Sequence, residues 1–298
     1  MLLWWNTAPA ILKGTILMLL SAVFFSALMM LVRVAGQALP VVLVIVARQV
    51  VMQVAVLLQA GRGARRILRT RSLKLQLWRA TFALGSTVAT YVTFVYLPLA
   101  LASAISFTMG LFVTIGAALF LKERIGPKTW AATLIGLAGV YIMLSPTTPG
   151  SAPFVVLAIV GAVLSAGVVL SLRGLDPSET IGTVLTYQGI LILPALIIPL
   201  VLTWQTPTAA QWLLLLLIGL VATFGQWALV AAFRHAEAAR LAPLDFLRLV
   251  LMALAGLVFF NEQLAPSLVI GMIIIVLTTL YTVRSNARLA VPAIEVVP

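Results

Sequence analysis

Polar side chains recur at a similar depth in several long apolar runs of this sequence. Arg48 follows Pro40 by eight residues, which would place it roughly 12 Å into a hydrocarbon core of about 30 Å. An ionisable group there costs at least ~2.5–3.5 kcal/mol, so it indicates a pathway or an ion pair. Its planar guanidinium suits a carboxylate, which makes Arg48 the first candidate for ligand binding. The alternative is a structural arginine that bonds helix carbonyls or Asp245.

Other polar and aromatic residues fall at comparable depth and extend the candidate binding site. Gln49 and Gln188 each lie roughly 13 Å from the start of their apolar run. Any single polar residue could instead bridge two helices, a contact worth about 0.6 kcal/mol. As a group at one depth they indicate a ligand site. The other candidates are Ser26, Thr87, Tyr91, Ser165, Tyr187, Gln226 and Trp227.

Carboxylates are rare in the apolar runs. Asp245 is the one that falls well inside a run, three residues before Arg248. Residues at this spacing can pair on one helix face, so we assign both to a gate or a coupling pair. Glu123 and Glu262 each precede a proline by four residues. We predict that both accept hydrogen bonds from the first amides of the helix that follows.

Membrane-spanning helices must position these residues. The chain has 63% hydrophobic and 9% charged residues and a mean hydropathy of +1.18, whereas ordinary soluble domains carry roughly 25% charge. Its 298 residues accommodate about ten spans of some 20 residues. We expect the fifth and tenth spans to be the shortest, and the seventh, with Pro194 and Pro199, the least regular. The predicted spans are 15–34, 40–58, 73–96, 98–121, 129–144, 153–172, 180–201, 211–233, 241–260 and 267–283.

An internal repeat divides the chain. Residues 120–127 return as 259–266, and the same displacement of 139 residues aligns Gln49 with Gln188 and Phe107 with Phe246. A constant displacement over both halves indicates a duplication. We predict an all-α integral membrane protein of ten transmembrane helices in two five-helix repeats, residues 1–145 and 146–298. Five is odd, so the second repeat is inverted, a recurrent design of secondary transporters.

Basic residues gather on one side of this predicted topology. The basic cluster at 62–74 lies there, whereas Arg33 is alone on the opposite side. The positive-inside rule therefore places both termini in the cytoplasm. The net charge of +12 reflects this asymmetry, with contact to anionic lipid as a secondary role. No nucleic acid is expected as a partner, because no aromatic residues interleave with the cluster.

With these features the chain resembles the drug/metabolite transporter superfamily, EamA type. The resemblance rests on the two five-helix repeats, Arg48 in the second span, residues 96–104 at the start of the fourth, and Glu-x-x-x-Pro after the fourth and ninth spans. It implies a metabolite carrier of the bacterial inner membrane. Within the superfamily, it is similar to the amino-acid exporters of the YddG group. One departure is Tyr187, which takes the place of Arg48 in the second repeat.

The leading hypothesis is a secondary transporter that exports small polar metabolites, with amino acids as the expected substrate. Within transporters, a drug, nucleobase or other metabolite carrier is the alternative. A membrane-embedded enzyme is disfavoured, because the chain has no cysteine and one histidine, and we expect neither a metal nor a cofactor. A non-transporting scaffold or lipid-binding protein would leave the polar residues without a purpose. Small residues on the fifth span, Ala132, Gly136 and Gly139, suit a homodimer or close packing within the fold.

Overall fold

The computed structural model describes residues 9–61, 67–120, 122, 126–143, 151–172, 174–176, 179–235, 241 and 244–289. Within these ranges the regular structure is helical. The helices are α1 (Ala10–Ala38), α2 (Val41–Ala60), α3 (Leu73–Tyr96), α4 (Leu99–Phe107), α5 (Met109–Phe120), α6 (Pro127–Met143), α7 (Ala152–Leu172), α8 (Ile181–Leu202), α9 (Ala209–His235), α10 (Leu247–Phe260) and α11 (Pro266–Leu289).

Every predicted span overlaps a helix of the structure. Six helical stretches in the described part of the chain are long and apolar enough to cross a membrane by length and composition. Shorter apolar helices occupy Trp130–Ile142, Leu247–Phe260 and Pro266–Thr278. The all-α membrane fold is thereby confirmed, and the number of ten crossings stays a prediction. The six stretches are Ala10–Ala38, Val41–Ala60, Leu99–Phe120, Ala152–Leu172, Gly182–Leu202 and Ala209–Ala232.

Helix regularity differs from the expectation in two places. The break falls in the fourth span, at Thr108, whose backbone N–H bonds to Ile105 O at 3.0 Å and whose Oγ1 donates to the same carbonyl at 2.6 Å. This tighter i to i−3 turn separates α4 from α5. The predicted irregular span, α8, instead runs unbroken through Pro194 and Pro199. Neighbouring groups in a helix bundle compensate for prolines, so an internal proline is compatible with a continuous helix.

The apolar stretches Trp130–Ile142 and Pro266–Thr278 agree with the expectation that the fifth and tenth spans are the shortest, but the helix of the tenth span extends well beyond its apolar stretch. α6 has 17 residues, but α11 has 24 residues and continues to Leu289. Helical hydrogen bonding continues through the polar segment after the apolar stretch, which hydropathy alone does not predict. The helix of the ninth span, α10, has 14 residues.

Helix packing has the pattern that a two-fold relation between the halves predicts. α1 packs against α9, and the equivalent contact joins α7 to α3. Likewise, α2 packs against α9 as α8 packs against α3. The counterparts α2 and α8, α4 and α10, and α6 and α11 contact each other directly. At one such junction the counterparts Phe107 and Phe246 stack with ring centroids 5.1 Å apart.

The small-residue face of the fifth span is used inside the chain. A Cβ on Gly139 would come 2.7 Å from Ile274 Cγ2 of α11. A Cβ on Gly136 would lie 2.9 Å from Thr278 Oγ1 of the same helix. The absence of side chains therefore permits the close approach of α6 and α11. Of the two roles considered for this face, the structure shows packing within the fold, and the face is not free for a homodimer.

Candidate functional site

A cavity of about 530 Å³ lies between α2, α3, α7, α8 and α9. A smaller one of about 360 Å³ adjoins it and shares Met52, Leu185, Gln226 and Val230 with it. Both cavities lie toward the end of the bundle that carries residues 67–72, 174–176 and 179–180, here called the loop end. The larger cavity has these lining residues: Arg48, Met52, Arg79, Val168, Leu172, Leu175, Asp176, Glu179, Val184, Leu185, Gln188, Gln226 and Val230.

Arg48 reaches the larger cavity from the middle of α2. Its Cζ lies 5.8 Å from the centroid of the Tyr91 ring, a cation–π contact. Its Nε is buried without a hydrogen-bond acceptor in the described part of the chain. Asp245, which the sequence also suggested as a partner of Arg48, pairs instead with Arg248 at 2.8 Å. Among the described residues, no carboxylate pairs with Arg48, so its guanidinium is available to a ligand in the cavity.

Buried polar atoms without hydrogen bonds to described residues recur near Arg48. They include both amide atoms of Gln49, Oε1 of Gln53 and the hydroxyl of Tyr91. The two glutamines lie against Gly189 of α8, where a Cβ would collide with Gln53 Oε1. Buried polar groups in proteins are almost always hydrogen-bonded. This cluster is therefore a place where polar groups of a ligand or water would be strongly held.

Gln188 contacts an arginine that the sequence analysis missed. Arg79 of α3 is 2% exposed and donates from Nη1 to Gln188 Oε1 at 3.3 Å. Its Nη2 donates to Val184 O at 2.5 Å, and its Nε to Gln76 Oε1 at 3.4 Å. Arg79 was overlooked because it follows the basic cluster, where arginine serves as a topology signal. Its position six residues into a predicted span, roughly 9 Å deep, could have identified it.

Six of the ten predicted substrate-binding residues line neither cavity. Gln49 and Tyr91 are next to the lining residues, whereas Ser26, Thr87, Ser165 and Tyr187 lie elsewhere. The Tyr187 side chain is directed away from both cavities, and its hydroxyl donates to Leu68 O at 2.9 Å. Ser26 is buried with an unpartnered Oγ in α1. Thr87 and Ser165 are half-buried in helices at other positions.

The structure brings together the remaining predicted residues. Gln226 lines both cavities, and Trp227 lines the smaller one with 52% of its surface exposed. Tyr91 lies beside Arg48, and Gln49 lies behind the cavity wall against α8. The site thus combines Arg48, which has no carboxylate partner among the described residues, with the hydrogen-bonded Arg79 and the amides of Gln188 and Gln226. Its walls are mostly apolar, with Asp176 and Glu179 in the lining.

Asp245 and Arg248 pair as predicted, with Asp245 just before α10 and Arg248 in its first turn. Their side chains are 27% and 31% exposed. Arg248 Cζ also lies 5.6 Å from the Phe25 ring centroid and 5.2 Å from that of Phe107. The pair therefore joins α10 to α1 and to the break between α4 and α5, and it does not line the cavities.

A second ion pair closes the end of the bundle opposite the loop end. Arg33 Nη1 lies 2.7 Å from Glu262 Oε1, with the two side chains 15% and 8% exposed. Arg33 Nη1 also donates to Leu97 O at 2.6 Å. The Glu262 oxygens accept from the backbone N–H of Leu99 at 3.0 and 2.9 Å. These contacts, here called the latch, join α1, the start of α4 and the end of α10.

The latch corrects the predicted role of Glu262. Glu262 does stabilise a helix start, but that of α4 in the first repeat and not that of α11. The reason is geometric, because Asn261 ends α10 in a left-handed conformation with φ of 51° and Glu262 N–H turns back to Gly256 O at 2.9 Å. Burial raises the pKa of Glu262, and the Leu99 amide and Arg33 oppose that rise. Glu123 lies outside the described residues.

Curated relatives of the chain are named as transporters. A riboflavin transporter of Rhizobium johnstonii is 35% identical over 64% of this chain, which spans 64% of that relative's length. A riboflavin transporter of Vibrio cholerae is 30% identical over 76% of each chain. An S-adenosylmethionine uptake transporter of Rickettsia prowazekii is 28% identical over 73% of this chain and 71% of its own. These names do not support amino acids as the substrate.

The family assignment extends over both repeats. A solved crystal structure superimposes with a TM-score of 0.61 over 93% of this chain and 99% of the other. At 18% identity this similarity shows the fold alone. The EamA-like transporter family matches residues 12–145 and again residues 152–284. On these matches, the chain belongs to the EamA-like transporter family.

Proposed function

We propose that this chain is a secondary transporter that moves a small polar metabolite across the bacterial inner membrane by alternating access. The observation that carries the proposal is Arg48, which lines a cavity of about 530 Å³ without a carboxylate partner among the described residues. The cavity volume lies within the roughly 300–1,000 Å³ of small-molecule sites. Equivalent helices of the two repeats make equivalent contacts. This two-fold relation supports alternation between two related states.

Riboflavin is the proposed first substrate. Two relatives that carry this name are 35% and 30% identical to the chain. The oxidised flavin ring presents neighbouring acceptor atoms, N1 with O2 and N5 with O4, which suit a guanidinium and an amide donor. Its flat apolar part suits the Leu, Val and Met walls. Amino acids, the substrate expected from the sequence, remain the second candidate because their carboxylate also suits Arg48.

The loop charges support an orientation for this transporter. If the basic cluster faces the cytoplasm, the loop end and both cavities face the cytoplasm too. The latch then closes the periplasmic end. The structure would correspond to a state open to the cytoplasm, with both termini on that side.

Transport assays in liposomes test the proposal. Purified protein should move labelled riboflavin faster than protein-free vesicles and faster than labelled tryptophan. Unlabelled riboflavin in excess should compete. If neither riboflavin nor any other small metabolite crosses above the background, the chain is a scaffold or a lipid-binding protein and the proposal is wrong.

The Asp245–Arg248 pair predicts how transport responds to pH. The Asp245 carboxylate is held in an ion pair with Arg248 at 2.8 Å. We therefore expect facilitated transport whose rate does not change when a pH gradient is imposed. If protons are coupled, Asp245 is the proposed carrier, and Asp245→Asn should abolish the response while leaving exchange intact. The measurement is uptake with and without the gradient. A gradient response that survives in Asp245→Asn would exclude Asp245 as the carrier.

A further inference from the structure

A directed chain of hydrogen bonds runs from the loop end to the cavity wall. Glu179 accepts from Thr70 Oγ1 at 2.5 Å and from Arg71 N at 2.9 Å. Its second oxygen accepts from Gln76 Nε2 at 3.3 Å. The Gln76 amide therefore presents Oε1 to Arg79 Nε at 3.4 Å. A carboxylate at one end thus fixes which atom of Gln76 meets the arginine.

Arg79 sets the orientation of Gln188 by its chemistry. A guanidinium has five N–H donors and no acceptor. The Gln188 atom 3.3 Å from Arg79 Nη1 must therefore be Oε1, and the Val184 carbonyl holds the same guanidinium from another side. If the Gln188 amide rotated by 180°, its Nε2–H group would point at the Arg79 Nη1–H group, and two donors would face each other. Nε2, a donor, is the end of Gln188 left for a ligand.

The deep part of the cavity consequently offers donors. Arg48 and Gln188 Nε2 supply N–H groups, Arg79 cannot accept, and the Gln226 amide adds one donor group and one acceptor. The acids that line the cavity, Asp176 and Glu179, belong to the connection between α7 and α8. Gln188 lies seven residues inside α8, roughly 10 Å further along the bundle. Glu179, moreover, already has donors on both oxygens.

We infer that the site recognises a pair of neighbouring hydrogen-bond acceptors on the substrate, with Arg48 and Gln188 as the donors and Arg79 as the positioning residue. The inference rests on the proposed function and deepens it, because it names the chemical class that the cavity takes. Suitable groups are the acceptor edge of a heterocycle or a carboxylate. A cation without acceptors does not fit.

Binding measurements on the full chain in detergent test the inference. The probes are riboflavin, with neutral acceptor pairs, tryptophan, with a carboxylate, and tetraphenylphosphonium, a cation without acceptors. Gln188→Glu keeps an acceptor for Arg79 but replaces the ligand-facing donor. It should weaken the binding of tryptophan, whose carboxylate is charged, about ten- to a hundredfold, the effect of losing a hydrogen bond of about 1.5–3 kcal/mol. It should weaken the binding of riboflavin, whose acceptors are neutral, about two- to tenfold, the effect of losing a hydrogen bond of about 0.5–1.5 kcal/mol. Gln205→Glu, the same change at an exposed loop residue, should have no effect.

A double-mutant cycle separates positioning by Arg79 from a general structural role. Arg79→Lys retains the charge but loses the planar fork, in which three separate nitrogens reach Gln76, Gln188 and Val184. If Arg79 acts through Gln188, this substitution should weaken riboflavin binding about tenfold in the wild-type background. It should cause no further loss of binding in a Gln188→Leu background. An equal loss in both backgrounds would show that Arg79 acts independently of Gln188. Helical circular dichroism and monodisperse elution confirm folding of each variant.

The outcomes separate this inference from the proposed function. Wild-type protein that transports riboflavin, together with a Gln188→Glu variant that binds it equally well, would overturn the donor arrangement and leave the transporter standing. Transport and binding of tetraphenylphosphonium alone would also leave a transporter but overturn the acceptor-pair class. If no probe or metabolite is moved, the proposed function fails and this inference fails with it.

Discussion

Arg48→Gln should lower the affinity for riboflavin about ten- to a hundredfold and reduce uptake into liposomes accordingly. The variant keeps a polar side chain but removes the charge that is unpaired among the described residues. A hydrogen bond to a charged group contributes about 1.5–3 kcal/mol, and each 1.4 kcal/mol is about tenfold. Fluorescence titration of riboflavin and initial uptake rates measure the two effects.

Arg48→Lys refines the same expectation. Lysine keeps the charge but loses the planar fork, so it should bind more weakly than arginine and more strongly than glutamine. Lysine also loses part of the stacking on the Tyr91 ring, now 5.8 Å from Arg48 Cζ. The graded order Arg, Lys, Gln is specific to recognition of an acceptor pair or a carboxylate.

A matched control variant distinguishes a loss of substrate binding from a loss of folded protein. Arg69→Gln makes the same change at an exposed position outside both cavities and should transport as the wild type does. A structural Arg48 would instead lower protein yield and melting temperature along with uptake. Well-folded Arg48→Gln protein that transports at the wild-type rate would show that Arg48 does not bind the substrate.

The fold was largely predictable because its determinants are local and repeated. Apolar runs locate the helices, and the constant displacement of 139 residues pairs Phe107 with Phe246, which meet in the structure. Contacts that join distant positions were not predictable in this way. Arg79 and Gln188 are 109 residues apart, and Leu99 and Glu262 are 163 apart. No periodic pattern in one helix encodes its partner on another.

The candidate site shows the same limit at finer scale. Depth along a span can be counted from sequence, and two residues selected in this way, Arg48 and Gln188, line the larger cavity. The direction of a side chain around its helix depends on how that helix is rotated in the bundle. Successive residues are about 100° apart, so Tyr187 turns away to Leu68 while Gln188 lines the cavity. Sequence depth therefore selects candidate polar residues, but only the structure shows which of them face the cavity.

The latch is expected to control which end of the transporter is open. It joins α1, α4 and α10 through Arg33, Leu99 and Glu262 at distances of 2.7–3.0 Å. Glu262→Gln removes the charge pair but retains an amide oxygen for the Leu99 N–H. Losing about 1.5–3 kcal/mol should shift the balance toward an opened latch about ten- to a hundredfold.

Gly256→Ala tests the latch without changing any charge. The Glu262 carboxylate lies where a Cβ of residue 256 would be. The added methyl group should push the carboxylate away from Leu99 and Arg33, and its effect should have the same direction as that of Glu262→Gln. Agreement between the two variants would assign the shift to the latch geometry and not to the loss of a charge elsewhere.

Single cysteines can report both ends, because the natural chain has none. Ala100→Cys lies in the first turn of α4, fully buried beside the latch, and Ala231→Cys lines the smaller cavity. In a Glu262→Gln background, a membrane-impermeant maleimide should label position 100 at least about tenfold faster and position 231 more slowly. Alternating access requires this reciprocity, since the two ends open in turn. Faster labelling at both positions would indicate general loosening, and unchanged labelling at both would show that the latch does not hold the closed end.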